Sequence, residues 1–136
     1  MPQNLAWLTE KQIIMIHLIG DISLEESQAA NLETIAYLDA GEPPVHILAD
    51  IKQMGRFPLN LIAARKTTTY LQHPNLGYIA IYGASGITSS FVQMLLSLAG
   101  VKARFVRNYA EGVDYLAQHD PRIKEALEAG TIPKEA

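Results

Sequence analysis

From Ile13 onward the chain alternates short β-branched apolar runs with segments of helical periodicity, and no other feature restricts its fold so strongly. A strand followed by a helix and then another strand returns in the same direction through a right-handed crossover, so the alternation predicts a mostly parallel sheet. The run Ile13-Ile14-Met15-Ile16-His17-Leu18-Ile19 is apolar on both faces, as expected of an interior strand covered by helices. Ahead of it, Leu5 to Thr9 is a second extended segment, separated from Gln12 to Ile19 by Glu10-Lys11. That spacing reads as a short hairpin, which makes the first strand antiparallel. Val45 to Ala49, Tyr78 to Tyr82 and Arg104 to Val106 supply three further strands.

The helix signals fall between them. Ser23 and Glu26 form a capping box, and the helix they open is stopped by Gly41 and kept from resuming by Pro43-Pro44. Leu24, Leu32, Ile35 and Ala36 are its expected inner face. Pro58 suits the first turn of a second helix over about Leu59 to Gln72, with Leu59, Ile62, Ala63, Tyr70 and Leu71 as core candidates. Gly83-Ala84-Ser85-Gly86 turns into a third helix over Thr88 to Leu98. Asn108 and Glu111 cap a fourth, carrying Val113, Leu116 and Ala117, and Pro121 opens a short last helix to about Ala129. Residues after it are expected to fray. The expectation is one three-layer α/β domain over residues 1–136: a mostly parallel five-stranded sheet with an antiparallel N-terminal strand and helices on its faces.

Composition narrows the function classes. With 136 residues, 49% hydrophobic and 18% charged, the chain can bury a core without staples. The absence of cysteine excludes disulfides, thiolate metal sites and Cys catalysis. A net charge of -3 argues against a general nucleic-acid binder, which needs clustered Lys and Arg. No apolar run approaches the length of a transmembrane segment, and Met1-Pro2-Gln3-Asn4 has no basic start or signal core, so a cytoplasmic protein is expected.

No catalytic set assembles. In open α/β sheets ligands bind beyond the carboxyl ends of the strands, which here points to Gly20-Asp21, Asp50 to Phe57, and Gly83 to Ile87. Gly83, Ser85, Gly86, Thr88 and Ser89 combine turn glycines with hydroxyls at a helix N-terminus, a setting that suits an anion, although neither a dinucleotide fingerprint nor a P-loop is complete. Ser85 lacks the final glycine of a nucleophile elbow, its place being taken by Ile87. Asp21 and Asp50, each expected to end a strand, read as turn or cap aspartates rather than as a Mg²⁺ pair. His17, His46, His73 and His119 have no ligand spacing, although His17 and His46 fall on strands that are candidates for neighbours. Lys52, Arg56, Arg65 and Lys66 make at most a modest basic patch. The helix over Thr88 to Leu98 is apolar round most of its circumference, more than one sheet contact can bury. The surplus must be buried by neighbouring helices, by a second copy of the chain meeting Phe91, Met94, Leu95 and Leu98, or by an apolar ligand.

Gly20-Asp21-Ile22-Ser23-Leu24-Glu25-Glu26 after the second strand, Val45 to Asp50 as the third, and His73-Pro74-Asn75-Leu76-Gly77 before the fourth, followed by Gly83, carry a resemblance. Nearly end to end, the order of elements resembles the STAS superfamily, in particular the SpoIIAA-like proteins related to anti-anti-sigma factors. The resemblance implies a small sheet-and-helix domain that binds other proteins, sometimes nucleotides or lipids, without doing chemistry. Phosphorylatable members place an Asp-Ser pair where the helix after the third strand begins. The corresponding stretch here, Arg56-Phe57-Pro58-Leu59-Asn60, has no hydroxyl and offers no such switch. The expected function is a non-enzymatic regulatory or protein-interaction module, a homodimer that meets its partner through Lys52, Met54, Arg56 and Phe57. The alternative is a small-molecule carrier holding an apolar or anionic ligand, lipid- or nucleotide-like, near Gly83 to Ser90. Neither requires a cofactor.

Overall fold

The computed structural model describes residues 3–135. Its sheet comprises β1 (Gln3–Thr9), β2 (Ile13–Gly20), β3 (Val45–Met54), β4 (Leu76–Tyr82) and β5 (Lys102–Phe105), ordered in space as in sequence. Strand β1 runs antiparallel to β2, and β2 through β5 are parallel, as the alternation of elements predicts. The helices are α1 (Leu24–Ala40), α2 (Leu61–Lys66), α3 (Gly86–Ala99), α4 (Tyr109–His119) and α5 (Pro121–Glu128). Stepping one strand outward at each crossover of a single hand leaves α1, α2 and α3 on the same face of the sheet. Only the chain after β5 is free to cross over, so α4 and α5 cover the opposite face.

Two cores result. On the α1–α3 side Ile14, Ile16, Ile47, Ala49, Ile79 and Ile81 form the floor, and on the other side Ile13, Met15, Leu48 and Ala80 meet Val113, Leu116 and Ile123. Alternate residues of each strand serve the two faces, so every central strand is apolar on both sides. Among the described residues no helix is long and apolar enough to cross a membrane.

Several local expectations are corrected. Helix α1 keeps its capping box, with Glu26 N–H on Ser23 Oγ at 3.1 Å, but it does not bury the predicted face. Leu24 and Leu32 are exposed and Ala36 is too, while Asn31, Thr34 and Leu38 point inward. Strand β3 does not end at Asp50: it continues to Met54, because β2 continues to pair with it through Ile19–Gln53 and Gly20–Met54. The long second helix is broken. It starts after Asn60, which caps Ala63 N–H at 3.1 Å, and gives way at Thr67-Thr68 to a 3₁₀ turn over Thr69–Gln72. The hydroxyls of Thr67 and Thr68 take the carbonyls of Ala63 and Ala64, competing with the helical ladder as β-branched hydroxyl residues do. Leu59 and Ile62, expected in the core, are exposed, the latter at 71%. The C-terminal residues are packed as far as Pro133: Ile132 is buried, and the Tyr109 hydroxyl donates to the Pro133 carbonyl.

Candidate ligand pocket

Between the sheet and the α1–α3 layer lies a cavity of about 190 Å³. Ile16, Ile47, Ala49, Ile79 and Ile81 pave it; Ala30, Asn31 and Thr34 of α1, Ala64 of α2, and Phe91, Val92, Leu95 and Leu96 of α3 wall it. Met54, Phe57 and Pro58 border it where β3 runs out, and Thr67, Thr68, Tyr70 and Leu71 border it beside the 3₁₀ turn. The space exists because α2 is only six residues long and cannot fill its share of the layer.

Polar groups on this lining are mostly committed within the fold. Asn31 Nδ2 donates to Thr69 Oγ1 at 2.8 Å and its Oδ1 accepts Tyr70 N–H at 3.0 Å, pinning the 3₁₀ turn to α1. Thr34 Oγ1 donates to the Ala30 carbonyl at 2.7 Å. These bonds explain why α1 turns polar residues inward: each has a partner there, which a buried polar group requires. Burial alone pushes the Tyr70 phenol up to about 12. Phe57 meets Phe91 edge-on at 5.6 Å, closing one side.

The residues singled out from sequence do not share one surface. Lys52 and Met54 lie two residues apart on β3, but the extra residue that β3 carries between the His17–Asp50 and Ile19–Gln53 pairs breaks the alternation and leaves them on opposite faces. Met54 borders the cavity, whereas Lys52 Nζ lies 3.5 Å from Asp50 Oδ2 and 5.7 Å from the Tyr82 ring centre on the α4 side. Arg56 is exposed, with its backbone N–H on Asp21 Oδ1 at 2.7 Å, and Phe57 is half-buried. On α3, Phe91 and Leu95 line the protein's own cavity, while Met94 and Leu98 are exposed. None of Gly83, Ser85, Gly86, Thr88 and Ser89 lines the cavity, and the Ser85 side chain makes no cap bond. Gly83 has φ +93, and a Cβ there would fall 2.5 Å from Lys52 N, so close packing on β3 accounts for this glycine.

On the opposite face a shallow polar cleft collects Asn4, His17, Asp50, Lys52 and Gln53. Asp50 accepts Lys52 N–H at 3.0 Å and stands 3.8 Å from His17 Nε2; burial, then the Asp50 charge, pushes the Tyr82 phenol up. His17 and His46 do occupy neighbouring strands but do not pair: His46 is wholly buried against Asp120 instead. Among the described residues no three His, Asp or Glu side chains converge as metal ligands would.

No family model matches the chain, and no curated protein matches it in sequence. Solved structures do match in fold. One is an uncharacterized protein of the DUF3478 family with a SpoIIAA-like fold from Shewanella loihica, with a TM-score of 0.59 at 17% identity over 84% of this chain and 91% of that one. Another is the anti-sigma factor antagonist SpoIIAA in its unphosphorylated form, with a TM-score of 0.58 at 11% identity over 85% of this chain and 96% of that one. At these identities the likeness is one of fold: a SpoIIAA-like α/β sheet, as the sequence resemblance implies. The cavity itself carries no sequence motif. The only trace of it is the surplus of apolar residues on α3.

Proposed function

We propose that this chain is a non-catalytic binding module whose ligand is a small apolar molecule held between the sheet and α1–α3. The observation that carries this reading is the cavity. Native interiors pack to the density of organic crystals and leave few voids larger than a water molecule. An apolar void of about 150 Å³ suffices to bind benzene, and this one measures about 190 Å³ with a predominantly aliphatic and aromatic lining. Binding then comes from removing the ligand's apolar surface from water. Toluene is a suitable probe. It should shift amide NMR signals of Ala49, Ala64 and Leu95 saturably. Ala49→Leu, which projects into the same space from the floor, should abolish those shifts while leaving the protein folded. A wild-type spectrum indifferent to toluene would refute the proposal.

A second reading is favoured by the shared fold of SpoIIAA, an anti-sigma factor antagonist, and by apolar residues left outside: a regulatory module contacting proteins, including its own copy. Met94 and Leu98, one turn apart on α3 and exposed at 47% and 51%, are the residues such a homodimer would cover. Leu98→Asp should then turn a dimer into a monomer in sedimentation equilibrium, and a monomeric wild type would dispose of the dimer.

A further inference from the structure

Charge is segregated along this chain. Residues 51–110 contain no Asp or Glu, yet they hold seven of the eleven Lys and Arg side chains. Four of the seven are engaged elsewhere: Lys52 with Asp50, Lys102 over the Tyr78 ring, Arg104 over Tyr115, and Arg107 with Glu111. Arg56, Arg65 and Lys66 remain, all exposed, and among the described residues none of them has an ion-pair partner. Exposed aliphatic side chains stand with them. Ile62, 71% exposed, lies on α2 one turn before Arg65 and Lys66, and Leu59, 52% exposed, precedes that helix. Ile87, 69% exposed, stands in the first turn of α3, a helix of fourteen residues without a charged side chain. The edge-on contact of Phe57 with Phe91 holds the two segments together, since Leu59 follows Phe57 by two residues and Ile87 precedes Phe91 by one turn. Phe57, Pro58 and Phe91 also line the cavity, so these side chains gather at its border. Asp21 and Glu26 bound the group on the α1 side, each held by a backbone N–H, of Arg56 and of Ser23.

We propose that the face formed by Arg56, Leu59, Ile62, Arg65, Lys66 and Ile87 docks on the surface of an anionic lipid bilayer. It combines the two signals that membrane association needs together: aliphatic tips that enter the acyl boundary, and cations drawn to acidic headgroups. The cations are local, set in a chain whose net charge is -3, so they orient this face and no other toward a negative surface. No exposed aromatic anchor of the kind on which protein interfaces centre is offered, Phe57 and Phe91 being partly buried against each other. The choice of a bilayer also rests on the pocket reading above. An apolar ligand resides in the acyl phase, and a cavity bordered by the docked face receives it with little passage through water.

Vesicle flotation makes the test, with phosphatidylserine and phosphatidylcholine in equal parts and with phosphatidylcholine alone. The wild type should bind the mixed vesicles, dissociate in about 1 M salt, and bind the neutral vesicles at least about tenfold more weakly. Arg65→Gln combined with Lys66→Gln should weaken binding to the mixed vesicles about tenfold, and Ile62→Ser about fivefold. Both variants should keep the wild-type thermal midpoint, because the substituted side chains are exposed. Equal affinity for the two kinds of vesicle would overturn the choice of an anionic surface. Binding that neither variant weakens would overturn the assignment of this face. A wild type that binds neither vesicle would refute docking, and if it self-associates and Ile62→Ser makes it monomeric in sedimentation equilibrium, a second copy covers the face instead. The toluene titration tests the pocket separately, so it stands or falls independently of these results.

Discussion

His46 is the residue on which the α4–α5 face depends most. Wholly buried on β3, it accepts Tyr78 N–H at Nδ1, 2.9 Å away, which leaves the proton on Nε2 to donate to Asp120 Oδ2 at 2.7 Å. Gly77 is required beside it, because a Cβ at that position would fall 2.6 Å from the imidazole. Asp120 in turn is gripped by Arg122, whose guanidinium reaches the carbonyls of Glu42 and Pro44, so one cluster ties α5 to β3, to β4 and to the loop before β3. Burial lowers the imidazole below its ordinary value of 6.5, outweighing the Asp120 hydrogen bond. For Asp120, burial works upward, but the hydrogen bonds from Arg122 and His46 prevail and hold the carboxyl at about 2 instead of 3.8. Both shifts make the unfolded chain the better proton binder on the acid side. Stability should therefore be constant above about pH 7 and decline as pH drops through 6.5, where unfolded His46 protonates and the folded residue does not. A further loss of up to about 2 kcal/mol follows below pH 4 as unfolded Asp120 is protonated. Urea midpoints at pH 7.5, 5.5 and 3.5 measure this, and His46→Gln should flatten the first part of the decline. A wild-type midpoint unchanged between pH 7.5 and 5.5 would mean that folded His46 accepts the proton, contradicting the tautomer assigned to it.

At the scale of elements, the 3₁₀ turn after α2 owes its place to a single side chain. Asn31 is its hydrogen-bonded anchor on α1, so Asn31→Ala strands the Tyr70 N–H in the interior and should cost about 1–3 kcal/mol. Thermal denaturation gives the loss, and hydrogen exchange at the Tyr70 amide should quicken well beyond that of β3 amides; uniform quickening would show that the turn does not open on its own. The same anchor marks where sequence reading fails. Helix α4 is legible because Val113, Leu116 and Ala117 recur at helical spacing on a face that is in fact buried, and α5 because Pro121 marks its first turn. Helix α1 was not: its apolar Leu24 and Leu32 face outward, and its inward face is set by a long-range partner 39 residues away that periodicity does not register. In the sequence β3 looks short because Asp50, Lys52 and Gln53 resemble a loop, whereas pairing with β2 resumes beyond a register shift and carries the strand on to Met54. The pocket was least legible of all. Its walls come from α1, α2, α3 and four strands, and the excess apolarity of α3 signalled burial without saying that Phe91, Val92, Leu95 and Leu96 would meet empty space.

Across the whole molecule, one sheet separates two packings with different purposes. On one face Leu116 is completely buried beside Leu48 and Ile123, in a layer tied down by the His46 cluster. On the other, Leu95 borders the cavity and so has fewer atoms around it to lose. The two leucines are thus the same chemistry in unlike surroundings, and truncating each separates stability from binding. Leu116→Ala should cost about 3–5 kcal/mol, since a tightly packed site relaxes little and retains most of the new void. Leu95→Ala should cost less, about 1–2 kcal/mol, because its side chain already faces free volume on one side. It should instead change which molecules bind, enlarging the pocket by about three carbon atoms' worth of space, so that naphthalene gains affinity relative to toluene. Urea denaturation together with NMR titration of both hydrocarbons decides the matter. Equal destabilisation by the two substitutions would show that the α1–α3 face is as densely packed as its opposite, and that the cavity is filled by the protein's own side chains in solution.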